Sequence, residues 1–176
     1  MKTVGLDIST CTGMALVGED EDRGKTIAVP DERGFLRVQL IANDVAQTLQ
    51  VWQPAFAAIE GYAYCKNISA FVTLVTIGTM IRSTLHQLHI PWVEVPPTVL
   101  KKWTTGKGNA TKDDMAYHVM NRWDFKSPSH DIVDAFALAQ MAQLGWNEVL
   151  TITGVTVGWT NLVTVLDPPR SGKELR

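Results

Sequence analysis

Apolar residues follow two rhythms along this 176-residue chain. Short runs come first, at about residues 2–8, at 14–17 after the turn Ser9-Thr10-Cys11-Thr12-Gly13, and near 26–29 beyond the acidic loop Glu19-Asp20-Glu21-Asp22. Runs of this length bounded by turn residues predict strands, with a hairpin-like opening. Between residues 34 and 52 the rhythm changes: Leu36, Leu40, Ile41, Val45 and Leu49 recur at helical spacing until Pro54 stops them. Residues 55–59 are continuously apolar between Pro54 and Gly61, the pattern of a fully buried parallel strand. A long helix over about 69–89, a strand over 91–95 and a short helix over 98–103 follow. The glycine-rich loop 104–110 then leads to helices at about 112–122 and 129–144. Thr111 is placed to cap the first of these, with Asp114 completing a loose capping box.

Three strands followed by alternating helices and strands predict an α/β layered domain with a mixed sheet. Residues 1–145 form this unit, and 146–176 read as an extension. Within it, 149–156 and 160–166 are rich in Val, Thr, Leu and Ile, which predicts two added strands or an arm packed on a partner subunit. The end from Pro168 to Arg176 reads as disordered and basic.

Composition changes this picture little. Hydrophobic residues at 45 % and charged ones at 19 % are ordinary for a globular domain. A net charge of -2 excludes a globally basic nucleic-acid binder and leaves room for a local patch. Such a patch exists: Lys101, Lys102, Lys107, Lys112, Arg122 and Lys126 are interleaved with Trp103, Trp123 and Phe125. Lysines hold phosphates without reading sequence, and aromatic rings stack on unpaired bases. The tryptophans fit a core role better, and the lysines equally fit a solvated face. Cys11 and Cys65 make neither a disulfide framework nor a metal pattern, and no leader pattern opens the chain, so the cytoplasm is the expected compartment. The apolar segment 68–88 is interrupted by Thr73, Thr76, Thr79, Arg82 and His86, which favours a buried or amphipathic helix over a membrane span.

The placement of the acids carries the chemistry. Asp7 lies inside the first strand, Glu60 ends the strand Phe56-Ala57-Ala58-Ile59, and Asp131 and Asp134 open an apolar helix three residues apart, on one face. Carboxylates are depleted from strands and costly to bury without partners, so a cation is expected among them. Hard divalent ions prefer oxygen ligands, which points to a pair of Mg2+ or Mn2+ ions and to phosphoryl chemistry. Taken singly each acid has a plainer reading: Asp7 caps a turn, Glu60 is a solvated strand end, and Asp131 and Asp134 favour a helix start. His130 lies at the edge of the pair, and His86, His89 and His118 show no ligand spacing.

These segments resemble the RuvC-type Holliday junction resolvases of the RNase H-like superfamily. Gly5-Leu6-Asp7-Ile8-Ser9-Thr10-Cys11-Thr12-Gly13 resembles the first-strand motif, Ala58-Ile59-Glu60 the second acid, 106–112 the glycine-rich segment ending in lysine, and His130-Asp131-Ile132-Val133-Asp134-Ala135 the final D-x-x-D-A motif. The resemblance covers residues 1 to about 144 and implies a three-layer α/β/α fold with a five-stranded mixed sheet. It implies two Mg2+ ions on Asp7, Glu60, Asp131 and Asp134, with Lys112 in the catalytic group and Mn2+ able to substitute. It also implies a homodimer cutting opposed strands of branched DNA, with Lys101 and Lys112 near the cut strand; Lys102 and Lys107 of the basic patch, and Lys66 and Asn67 at the start of the long helix, are further candidates for the DNA backbone. Where bacterial relatives carry a stacking aromatic this chain has Ala63, flanked by Tyr62 and Tyr64, which take over as candidates for base stacking. The short, divergent chain resembles bacteriophage versions. Three other readings stay open: an ATP-binding domain, because the 7–13 turn also resembles the first phosphate loop of the actin and sugar-kinase fold; a non-catalytic junction-binding protein; and an RNase H-like enzyme acting on RNA–DNA hybrid.

Overall fold

Strand alternation divides the chain into layers. In the computed structural model, which describes residues 1–18, 22–62 and 66–157, the strands are β1 (Thr3–Asp7), β2 (Cys11–Val17), β3 (Asp22–Ala28), β4 (Phe56–Glu60), β5 (Trp92–Val95) and β6 (Thr156–Val157). They form one sheet in the order β3-β2-β1-β4-β5-β6. β1 pairs antiparallel with β2 and parallel with β4, β4 pairs parallel with β5, and β6 closes the far edge antiparallel to β5.

Alternate residues of each strand face opposite sides. Val4, Leu6, Met14, Leu16 and Ile59 join one core with α1 (Gly34–Trp52) and α2 (Ile68–Gln87). Ala15, Val17, Ala58, Val93 and Val95 join a second core with α3 (Pro97–Thr105), α4 (Lys112–Trp123) and α5 (His130–Ala142). The result is the expected three-layer α/β fold. A short α6 (Trp146–Val149) follows α5.

α5 is the central helix of the second core. Val133, Ala135, Phe136, Ala137, Leu138, Ala139, Met141 and Ala142 are all buried, so it is apolar on nearly every side. Its close approach to the sheet requires two glycines. A Cβ at Gly5 would lie 1.8 Å from the Ala135 carbonyl oxygen, and one at Gly13 would lie 2.1 Å from that of Asp131. At its C-terminal end the Gln143 amide donates to the Met1 and Val17 carbonyls and to Thr3 Oγ1, while Thr3 Oγ1 donates to the Ala139 carbonyl at 2.9 Å.

Several boundaries differ from the sequence reading. The sheet has six strands instead of five, because Thr156–Val157 adds to the β5 edge. Residues 149–155 are not strand: backbone bonds Thr151→Glu148, Ile152→Val149 and Val155→Ile152 fold them into successive turns, and Gly154 takes φ +96°. The expectations for 160–166 and the basic end lie outside the described residues. β3 begins at Asp22 instead of residue 26: its exposed Asp22, Arg23 and Gly24 pair through the backbone, which the apolar pattern does not reveal. Thr111 and Asp114 form the expected capping box of α4 in full.

Among the described residues α2 is the one helix long and apolar enough to cross a membrane. It docks instead on the first core through Ile77, Gly78, Ile81 and Leu85, which agrees with the domain-helix reading.

Backbone clash sets the first prediction. Gly5→Ala should cost at least about 3 kcal/mol, the upper end of ordinary overpacking, because the obstacle is a helix carbonyl and not a flexible side chain. Gly106→Ala, at φ +82° with open space around it, should cost only about 1–2 kcal/mol for the left-handed backbone. Urea unfolding of the two variants beside wild type measures both.

Candidate active site

Asp7 and Glu60 are the last residues of adjacent parallel strands. The register pairs Leu6 with Ile59, so the two acids are the next positions on each strand. They occupy the C-terminal edge of the sheet, where loops rather than strands continue. Alternation puts Asp7 on the face of Gly5, and Glu60 on the face of Ala58, toward α5.

α5 brings the other two acids to the same edge. Ser129 caps its start by accepting from the Ile132 N–H. Gly13, the β2 residue paired with Asp7, is the one that touches the Asp131 backbone. The glycine contact therefore seats the first turn of α5 directly beside the end of β1, and Asp134 follows one turn on. The sequence reading did not assign Gly5 and Gly13 a part in the site. The signal was available, because an isolated glycine within a strand often marks close approach of another backbone.

The electrostatics reflect crowding of like charge. Burial pushes the Asp7 carboxyl up to about 6, with Asp134 and Asp131 adding to the rise and Glu60 and Lys112 opposing it. Burial also lifts Glu60, to about 9, helped by the charge of Asp7 and by their shared hydrogen bond. Burial and mutual repulsion thus raise both members of the pair, which share a hydrogen bond and titrate together. Asp134 is raised by burial, against the pull of Lys112 and Lys101. Among the described residues no three ligand-type side chains are gathered at coordination spacing. All four donors are carboxylate oxygens, a set suited to hard divalent ions.

Two lysines enter the site. Lys112, the first residue of α4, lies 3.6 Å from Asp131 Oδ1 while remaining largely exposed. Lys101 on α3 acts on both Glu60 and Asp134. Lys102 and Lys107 are exposed nearby on α3 and its following loop. Cys11, which the sequence reading left without a role, opens β2 beside Asp131; burial pushes its thiol up, and a hydrogen bond with Asp131 adds to this. Its signal was its place opposite the end of β1, visible only once the β1–β2 register is known.

The remaining candidates are more dispersed. Tyr62 packs against α2: its hydroxyl accepts from Arg82 Nη1 at 2.9 Å, and the Arg82 guanidinium lies 4.8 Å from its ring centre. Its ring is 37 % exposed, so one side remains open. Tyr64 lies outside the described residues. Asn67 caps α2 by accepting from the Ala70 N–H, and Lys66 is exposed beside it. Trp103 and Trp123 stack at 5.6 Å against the second core, under the Arg122 guanidinium. Phe125 stacks on Phe136 at 3.8 Å. The three aromatics of the basic patch therefore serve packing. His130 is exposed at the helix start.

Known proteins share this arrangement of elements. The model of the family described as "Crossover junction endodeoxyribonuclease RuvC" matches residues 5–141. RuvC of Prochlorococcus marinus (strain NATL2A) is 30 % identical over 152 residues, covering 79 % of this chain and 96 % of the relative. RuvC of Synechococcus sp. (strain WH7803) is 32 % identical over 105 residues, 58 % of this chain and 68 % of the relative. In fold, the chain is similar to T. thermophilus RuvC solved in complex with Holliday junction substrate, with TM-score 0.68 and 23 % identity, covering 79 % of this chain and 90 % of that one. The matched span begins in the strand that ends in Asp7 and closes near the end of the helix that begins with the Asp131 pair, and on that extent of sequence the chain belongs to the RuvC family of crossover junction endodeoxyribonucleases.

Proposed function

We propose that this chain resolves Holliday junctions, and cuts other branched DNA, by Mg2+-dependent hydrolysis of phosphodiester bonds in a homodimer. One observation carries the reading: four carboxylates from β1, β4 and α5 share one edge of the sheet, near enough that their charges raise one another's pKa. Asp7, Glu60, Asp131 and Asp134 would hold two Mg2+ ions, with Mn2+ able to substitute. Bound there, such ions supply an activated water and offset the charge that develops on the phosphate.

The chain's own groups do the rest. Asp7, raised to about 6 by burial, would have to ionise to act as a metal ligand. Lys112 holds Asp131 from the solvent side and presents a cation to the strand being cut. Lys101 offsets the charge of Glu60 and Asp134. Lys102, Lys107, Lys66 and Asn67 would track the DNA backbone, with Tyr62 and Tyr64 against unpaired bases. The four-way substrate is supported by family membership and by the Holliday junction named with the Thermus relative. The compartment that goes with this reading is the cytoplasm, that of a host if the chain is phage-borne.

The dimer is supported by α2. Its docked side is buried, yet Ile68 is 77 %, Val72 57 % and Phe71 37 % exposed on the other side. A row of apolar residues of this kind marks an association surface. Val72→Asp should convert a dimer to monomer in sedimentation equilibrium, and paired cutting of junctions should then fall to single nicks.

Asp7→Asn should reduce cleavage by at least about 10³-fold, the scale of losing a group that stabilises transition-state charge, while leaving junction binding intact. End-labelled four-way junction, flap, duplex and RNA–DNA hybrid, each with Mg2+, separate the possibilities. Symmetric nicks in the junction, lost in the variant, support the resolvase. Cleavage of hybrid alone moves the activity to RNA, and tight binding without cleavage leaves a junction-binding protein.

The raised carboxyls also fix a pH dependence. Asp7 rises from 3.8 to about 6 and Glu60 from 4.5 to about 9 on folding. Between those limits the folded chain holds protons that the unfolded chain has released, so metal-free stability falls as pH rises through this window. Mg2+ binds the ionised acids and should raise the thermal midpoint more at pH 8 than at pH 5. Thermal unfolding with chelator and with Mg2+ measures this, and Asp7→Asn should shrink the Mg2+ effect at the higher pH.

A further inference from the structure

We propose that a cavity beside the acid cluster is a second phosphate site, taking a DNA backbone phosphate next to the one that is cleaved. The inference rests on the nuclease reading above and adds a contact to it. The cavity, about 370 Å³, lies between the β1–β2 turn, the start of α1 and the first turns of α2, and is lined by Ser9, Thr10, Arg33, Gly34, Arg37 and Thr73 among others, with no acid among its lining residues.

Its two arginines set it apart. Arg37 Nη2 donates to the Thr10 carbonyl at 3.3 Å, and its buried Nε has no hydrogen-bond partner among the described residues. Arg33 Nη1 donates to the Pro30 and Glu32 carbonyls. Among the described residues neither guanidinium is paired with a carboxylate, whereas Arg82 pairs with Glu94 at 2.8 Å and Lys25 with Asp44 at 2.6 Å. Two unneutralised guanidiniums on one cavity attract an anion, and arginine's planar fork suits phosphate oxygens. The start of α1 adds to this field, having neither a side-chain cap nor an acid in its first turn.

Position identifies the anion. Ser9 and Thr10 follow Asp7 by two and three residues in the same turn, so a strand that crosses the C-terminal edge of the sheet from the acids on the α5 face would meet this cavity on the α1–α2 face. A second copy of the chain is the other source of negative charge. The α2 wall of the cavity argues against it, because Ile68–Gln87 contains no Asp or Glu to offer across a dimer axis.

The test is the salt dependence of junction binding in the Asp7→Asn background, read by fluorescence anisotropy with a labelled four-way junction and Mg2+. Each phosphate contact contributes about 0.9 to the slope of log K against log[salt]. Removing both arginines should lower the slope by about 0.9, the share of one phosphate, Arg33→Ala or Arg37→Ala alone by a part of that, and Arg37→Lys should retain most of it. Arg33 is exposed, so Arg33→Ala alone tests the site without loosening the β1–β2 turn should Arg37→Ala unfold. An unchanged slope in folded Arg33→Ala and Arg37→Ala proteins would overturn the phosphate site. So would dissociation of the dimer at unchanged slope, which would assign the arginines to the partner. Failure of the Asp7→Asn parent to bind branched DNA would remove the nuclease reading first, and this site with it.

Discussion

Everything at this protein's candidate site depends on how closely α5 can lie on the sheet. Helix and sheet normally keep a layer of side chains between them. Here Gly5 and Gly13 remove that layer at two points, and helix carbonyls of Ala135 and Asp131 occupy the space where a Cβ would stand. The approach brings carboxylates from a helix to the ends of two strands, which otherwise point away from it. Packing and chemistry are thus joined in one contact. The residues that allow it carry no functional group at all.

The same contact creates a conflict of charge. Four acids share a partly buried edge, and two lysines are not enough to balance them. Burial and mutual repulsion raise Asp7, Glu60 and Asp134 above the ordinary carboxylate range, so the cluster favours whatever positive charge can enter it. Stability is sacrificed locally so that charge can be drawn in, a common property of sites built for catalysis.

The fold was largely legible in the sequence because its elements are long and strongly patterned. The helix at 34–52 and the strand after Pro54 could be read from periodicity and one proline. The acids were legible for the opposite reason: Asp7 and Glu60 break apolar runs and so stand out. What escaped reading was whatever depends on neighbours distant in sequence. The early start of β3 is set by backbone pairing with β2, which side-chain pattern does not report. The turns at 149–155 arise in a segment whose β-branched residues suggested a strand. The nearness of Cys11 to Asp131, and of Arg37 to the turn that follows Asp7, required knowing which strand lies beside which.

Gln143 gives this architecture a lever arm. It fastens the C-terminal end of α5 to Met1, Thr3 and Val17, while Asp131 lies 12 residues away at the other end. At 1.5 Å per residue that separation is about 18 Å, so a tilt of about 3° at the fastening moves the acid by about 1 Å. An amide at the opposite end of the helix thus bears on the aim of carboxylates it never meets. The placement of the acids is inherited in part from the angle at which one helix is pinned, and a neutral-looking exchange at that pin is felt most at the helix's far end.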